Sequence, residues 1–222
     1  PNSMETRGAI ASIEEDTGRL VLRVSCQGVH IIRQILANMI FNVPEEEIHV
    51  LCDDVGGGFG MKGGIYPEDV LVAWAAWRLR KTVRWHATRS ESLQTDYHGR
   101  DQDAEAELAL DADGNILALR VFSDFNTGGH LSSGGGVSPM FASTLATGCY
   151  HVPCAHVRSR AIYTNTSPTQ PYRGAGRPEA SYLIERLMDR AASEMGIDRV
   201  EIRRRNLISK TQMPYKTPLV YT

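Results

Sequence analysis

The chain has 222 residues, 42% of them hydrophobic, which is enough to bury a sizeable core as one large domain or two smaller ones. Its 24 basic and 26 acidic residues leave a net charge of −2, so the electrostatic footprint of a nucleic-acid or anionic-membrane binder is missing. No apolar run reaches the ~18 residues of a bilayer span and no secretory signal pattern is read at the start, so a reducing, cytoplasmic setting is expected.

In chain order, residues 10–13 and 20–24 flank Glu14-Glu15-Asp16-Thr17-Gly18 and predict a hairpin. Val29, Ile32, Leu36, Met39 and Ile40 recur at three- and four-residue intervals, the stripe of an amphipathic helix that Pro44 stops. Residues 48–52 predict a short strand feeding the glycine-rich run Val55-Gly56-Gly57-Gly58-Phe59-Gly60-Met61-Lys62. Pro67 suits a first helical turn beside Glu68 and Asp69, with Val70, Ala73, Trp74 and Trp77 as the expected buried face. Residues 82–86 read as a strand.

Further on, residues 104–110 and 116–125 flank Asp111-Ala112-Asp113-Gly114-Asn115, a strong hairpin signal. Gly128-Gly129 and Gly134-Gly135-Gly136 punctuate an expected loop over about 126–140, and residues 157–163 predict another strand. Leu183, Ile184, Leu187, Ala191 and Met195 recur at helical spacing, with Gly196 where a C′ residue belongs. Asp198 and Glu201 predict a capping box for a short helix through Arg205. The expected class is α+β, with antiparallel hairpins and a mixed sheet packed against several helices. One domain over 1–222 is expected, divisible into sub-lobes at about 1–100 and 101–222.

Cys26, Cys52, Cys149 and Cys154 form no CxxC pair, so reduced thiols are expected rather than a disulfide framework or zinc ribbon. The seven histidines are scattered and none sits in an HExxH spacing, so no direct metal ligand is expected.

The glycine loop carries the chemistry. Glycines at this density remove Cβ atoms, permit φ > 0 and let backbone N–H groups press against a ligand. Phe59 among them is an apolar plug or a stacking face, so the loop reads as a cradle for something flat or anionic. Gly58, Gly60 and Gly63 also fit GxGxxG, the dinucleotide fingerprint. The strand that follows ends in His86-Ala87-Thr88-Arg89 without the ribose-binding carboxylate, although Arg89 would suit a 2′-phosphate. An NADP-binding Rossmann domain is therefore the lesser alternative. A nucleotide-triphosphate loop is disfavoured because Gly63, not Ser or Thr, follows Lys62. A second glycine-rich turn, Thr169-Gln170-Pro171-Tyr172-Arg173-Gly174-Ala175-Gly176-Arg177-Pro178-Glu179, adds two arginines, whose planar forks bind oxyanions or carbonyls.

These two loops, with Ser25-Cys26-Gln27 and Met4-Glu5-Thr6-Arg7-Gly8, resemble in order and spacing the molybdenum-cofactor-binding large subunit of the xanthine dehydrogenase/aldehyde oxidase family. The nearest branch is the carbon-monoxide-dehydrogenase-like large subunits, and the resemblance covers essentially the whole chain. It implies the first cofactor-binding domain of an oxidoreductase, a molybdenum hydroxylase that oxidises a C–H bond of an aldehyde or N-heterocycle with water-derived oxygen. It also implies molybdopterin, in some members as the cytosine dinucleotide, with iron–sulfur and FAD centres on partner chains or domains.

By the same resemblance, Gln27 hydrogen-bonds beside the metal, and Gly57, Gly58, Phe59 and Gly60 form the loop that approaches the pterin. Arg173 stabilises negative charge on substrate or cofactor, and Arg203 is a further cofactor contact. Gln27 and Arg173 are the expected catalytic residues. Two departures narrow the substrate. Gly63 stands where xanthine dehydrogenases carry the glutamate of GGKE, which argues against purines. Gly174 replaces the copper-binding cysteine of YRCSFR, which argues against carbon monoxide oxidation.

The family's general base lies in a C-terminal region past residue 222. The chain is therefore expected to be a fragment of a longer large subunit, inactive and without its cofactor when alone. The alternative is a separate cofactor-binding or assembly subunit completed by a partner chain. The turns around Phe59 and Arg173 are expected to form one wall of a shared cavity.

Overall fold

The computed structural model describes residues 1–219. The chain folds as two compact units, Pro1–Gly99 with Ser132–Gly134, and Arg100–Leu131 with the chain from Gly135 onward.

The first unit is built on four strands, β1 (Gly8–Ile13), β2 (Leu20–Val24), β3 (Ile48–Leu51) and β4 (Val83–His86), in the order β3-β2-β1-β4. β1 runs antiparallel to both β2 and β4, whereas β2 and β3 are parallel. Alternation along the strands sends Ala9, Ala11, Leu20, Leu22, Val24, Ile48 and Val50 to one face. There they pack with Ile32, Leu36 and Ala37 of the helical segment after β2 and with Val72, Ala73 and Ala76 of α2 (Pro67–Leu79).

That first helical segment starts as α1 (Val29–Ile35) but continues as a π-helical turn, Leu36–Phe41, and ends at Asn42 in a left-handed conformation. A π turn inserts an extra residue and rotates the helical phase. Met39 and Ile40, expected on the buried stripe, are consequently exposed. The expected face of α2 also needs correction at Trp74, which is 53% exposed. At ~100° per residue Trp74 falls nearly opposite the buried Val72 and Ala76, while Val70 and Trp77 are half-buried.

Arg7 is the polar centre of this unit. Its buried guanidinium pairs with Asp96 (2.6 Å) after α3 (Arg89–Thr95) and with Glu68 (3.0 Å) of α2, and its Cζ lies 3.8 Å from the Tyr66 ring centroid. Tyr66 stacks in turn on Tyr97 at 4.4 Å.

The second unit contains β5 (Gln102–Leu110), β6 (Ile116–Gly128) and β7 (Ala155–Tyr163) in that order. β5 and β6 form the expected hairpin, whose turn is fixed by Asp111 Oδ1 accepting the N–H groups of Asp113 (3.0 Å) and Asn115 (2.8 Å). β7 joins parallel to β6, so the sheet is mixed. Part of the expected loop over 126–140 is helical: α4 spans Val137–Thr144. Its signal was hidden by the preceding glycine triplet and by Pro139, which a first helical turn tolerates because that N–H needs no partner there.

α5 (Arg177–Met195) ends at Gly196 with φ +67°, and α6 (Arg199–Asn206) follows. Asp198 caps α6 by accepting from Val200 and Glu201 N–H, but the Glu201 carboxylate goes to Arg205 (3.0 Å), so only half of the expected box forms. Ile116, Leu119, Val121, Tyr150, Val152, Ile184, Met188 and Ile202 make the core of this unit. The class is α+β, as read from the sequence.

Candidate functional site

The glycine loop leaves β3 and reaches α2 through a 3-10 turn at Met61–Gly63. Gly63 therefore ends that turn, and the helix opens only later, at Pro67. Its third glycine is thus not at a helix N-terminus, and the sheet is not the parallel array that a dinucleotide fold requires. Lys62 is 1% exposed and turned inward, so it does not reach out to a phosphate either.

Four of the sequence-predicted residues, with Gln27, gather into one cradle in the first unit. Gly57 and Gly60 hold φ of +101° and +96°, and Phe59 takes φ +55°. Gln27 lies just past β2, and its side-chain Oε1 accepts the Gly60 N–H at 2.8 Å. A Cβ on Gly58 would stand 2.6 Å from the Gln27 side chain, and one on Gly57 2.9 Å from the Phe59 ring. Glycine at these positions is a packing requirement. The N–H groups of Gly57 and Gly58 have no acceptor among the described residues. Phe59 is 40% exposed. With its Oε1 anchored, Gln27 has its amide NH₂ left to donate, so the cradle offers donors to an acceptor-rich or anionic group.

Glu5, to which its sequence motif assigns no role, underlies this loop. Its Oε2 accepts from Ser25 Oγ (2.6 Å), Gly56 N–H (2.9 Å) and Lys62 Nζ (2.7 Å). Burial alone would raise the carboxyl, but Lys62, Ser25 and Gly56 outweigh it and hold Glu5 below the usual carboxylate range. The signal was the polar residue pattern Glu5, Ser25 and Lys62 inside the matched motifs. An open cleft of about 470 Å³ adjoins this cluster, lined by Glu5, Ser25, Cys52, Arg23, Arg84 and His86. Gln27 and residues 57–60 do not line it, so it is a flank of the cradle.

All four cysteines are free thiols. Burial pushes Cys26 up to about 11, and Cys52 Sγ donates to the Cys26 carbonyl at 3.3 Å.

In the second unit, the loop before α5 is shaped by Gly174, Ala175 and Gly176 at φ of +93°, +41° and +88°. A Cβ on Gly176 would lie 2.3 Å from the Ser138 carbonyl oxygen and 2.6 Å from Ala142 N, so α4 is the element against which this loop is pressed. Arg177 stacks on Phe141 of α4 at 4.0 Å. Arg100, unremarked in the sequence, braces the loop from the other side. It donates to the Arg173 carbonyl, lies over the Tyr172 ring at 4.7 Å and pairs with the buried Glu179 at 3.4 Å. The Arg173 side chain itself is exposed.

Arg203 stands apart from that loop. Its guanidinium pairs with Glu185 (2.6 Å) and Asp189 (2.8 Å) of α5 and donates to the Arg199 carbonyl (2.9 Å). Burial would lower its proton affinity, but Asp189 and Glu185 more than reverse this. Glu185 lies about 12 Å along α5 from its first residue, at ~1.5 Å per residue. The geometry makes Arg203 a brace between α6 and α5.

A family model described as a molybdopterin cofactor-binding domain matches residues 1–207. The chain is 36% identical to the carbon monoxide dehydrogenase large chain of Hydrogenophaga pseudoflava, over 98% of the chain and 27% of that protein. It is 34% identical to the 6-hydroxypseudooxynicotine dehydrogenase complex subunit gamma of Paenarthrobacter nicotinovorans, over 96% of the chain and 26% of that protein. Among solved structures, quinoline 2-oxidoreductase from Pseudomonas putida 86 superposes with a TM-score of 0.91 at 36% identity, over 99% of the chain and 28% of that one. The chain spans about a quarter of the length of the relatives it matches.

Proposed function

Because the chain belongs to the molybdopterin cofactor-binding domain family, we propose that it forms one side of the cofactor cavity of a molybdenum hydroxylase large subunit. The observation that carries this reading is the donor cradle. Two N–H groups without an acceptor, at Gly57 and Gly58, lie in a loop anchored to Gln27, and such donors fit a group rich in oxo, thiolate and phosphate acceptors. Bound there, the molybdopterin supplies the redox chemistry that oxidises a C–H bond with oxygen from water.

This chain's residues supply placement and electrostatics. Gln27, fixed through Oε1, directs its amide donor without adding charge. Residues 57–60 approach the pterin, and Phe59 offers an apolar face beside it. Arg173 brings a permanent cation to charge that develops on the substrate or cofactor. Arg203 is assigned to holding α6 against α5, on the strength of its ion pairs.

Gly63 and Gly174 disfavour purine and carbon monoxide substrates. Similarity to quinoline 2-oxidoreductase supports an N-heterocycle over an aldehyde. The remaining length of such a large subunit would complete the cavity and furnish the general base. Iron–sulfur and flavin partners would take the electrons, in a cytoplasmic complex, with the cofactor in its cytosine dinucleotide form. Pterin and molybdenum analysis of the intact large subunit, followed by a screen of N-heterocycles with an artificial electron acceptor, tests this. One pterin per chain and turnover of an N-heterocycle are expected. A fully folded subunit with neither would overturn the reading.

A further inference from the structure

A lysine whose side chain is 0% exposed is costly, because a buried ammonium must be both paired and hydrogen-bonded to be tolerated. Methionine would fill similar volume at Lys62 without that cost. The ammonium instead meets Glu5 Oε2 at 2.7 Å and Ser25 Oγ at 2.7 Å. Ser25 Oγ donates to the same Glu5 oxygen, closing a ring of three polar groups.

That ring is tied to the backbone at both ends of the glycine loop. At the near end, Gly56 N–H donates to Glu5 Oε2 at 2.9 Å, and Glu5 N–H donates to the Gly56 carbonyl at 3.1 Å. The approach is so close that a Cβ on Gly56 would lie 2.4 Å from Glu5 Cβ. At the far end, Gln27 N–H donates to the Lys62 carbonyl at 3.0 Å, while Gly60 N–H donates to Gln27 Oε1. Gly57 and Gly58, the two donors without an acceptor, lie between these anchors. A loop fixed at both ends has little conformational freedom left to lose when a ligand binds.

We propose that Lys62 and Glu5 form an internal ionic clamp that presets residues 56–60 in the shape that receives the cofactor, so that Lys62 is a positioning residue which never touches the bound group. This rests on the cofactor reading above. The same clamp fixes Gln27, because the Lys62 carbonyl holds its backbone while Gly60 holds its side chain.

The test compares the intact large subunit with Lys62→Met, Glu5→Gln, the double variant and the milder Ser25→Ala. Hydrogen exchange is followed at the Gly56 and Gly60 amides of the cofactor-free form, and bound pterin per chain is counted after loading. Each single charge variant is expected to speed exchange at both amides about ten-fold while amides of α2 and β1 keep their protection. Bound pterin should fall several-fold, and the double variant should be no worse than either single one, because the pair acts as a unit. Ser25→Ala should shift the same amides less, and it decides the matter if Lys62→Met fails to fold. Unchanged exchange in the folded variants would overturn the clamp, as would faster exchange with wild-type pterin retention. If the wild-type subunit itself binds no pterin, the cofactor reading falls with the purpose given to the clamp. The exchange data would still show separately whether the ring holds the loop.

Discussion

The Oε1 atom of Gln27 accepts the backbone N–H of Gly60 at 2.8 Å, joining the end of β2 to a loop more than thirty residues further along the chain. The bond uses the acceptor end of the amide and leaves the donor end. The same side chain occupies the space that a Cβ on Gly58 would need. A polar side chain and a stretch of bare backbone are thereby made one surface.

Gly58→Ala tests that contact. The added methyl must displace Gln27, and overpacking of this kind costs about 1–3 kcal/mol. The intact subunit is expected to fold with a slightly lowered melting temperature and to lose most of its pterin. Wild-type pterin content in Gly58→Ala would show that the Gln27 position does not matter.

Arg173→Ala should leave the cofactor bound and slow turnover. Removing a preorganised charge-stabilising donor costs about 2.7–4 kcal/mol, or 10²–10³-fold in kcat. Arg173→Lys keeps the charge but loses the planar fork and should recover only part of the rate. Steady-state kinetics per bound cofactor check this, and near-normal kcat in Arg173→Ala would remove the assignment.

Arg203→Ala should do the opposite. Its pairs with Glu185 and Asp189 are partly exposed, with 43% and 32% exposure of the carboxylate side chains, so screening keeps their worth near about 1 kcal/mol. In the intact large subunit a small drop in melting temperature is expected. Turnover per bound cofactor should be unchanged. A calorimetric scan beside a kinetic assay separates the two effects.

Asp69 gives a pH signature to the first unit. Burial pushes its carboxyl up to about 6, against the Tyr66 N–H it accepts at 3.1 Å and the nearby Arg7. An unfolded aspartic acid titrates near about 3.9, so between that value and about 6 the folded state binds the extra proton. Its contribution is therefore full below pH of about 4 and is lost as pH rises through about 6. Asp69→Asn, which keeps an acceptor for Tyr66, should flatten the stability profile over that window. An unaltered profile in denaturant titrations at several pH values would contradict it.

What the sequence made legible was whatever local chemistry dictates. The hairpin turn at Asp111, the Gly196 cap and the alternation in β1 and β2 follow from residues close together in the chain. Gln27 and the glycine loop, which the structure joins through the Gly60 N–H, both stood out in the sequence because they sit inside dense motifs. The missed features depend on helix phase, on masking by glycine and proline, or on partners far away. Trp74 and Met39 are hydrophobic yet exposed, since the α2 face and the π turn set their direction. The α4 helix was concealed by glycines and Pro139. Arg100 looked like an ordinary charged residue, and only the fold brings it to the Arg173 carbonyl, the Tyr172 ring and Glu179. Lys62 read as a motif letter, although its burial is what ties the loop down.

The most direct measurement is a high-resolution structure of the intact large subunit loaded with its cofactor. The account predicts molybdopterin in contact with residues 57–60 and the Gln27 amide. Cofactor density held by other segments, with residues 57–60 and Gln27 clear of it, would contradict it.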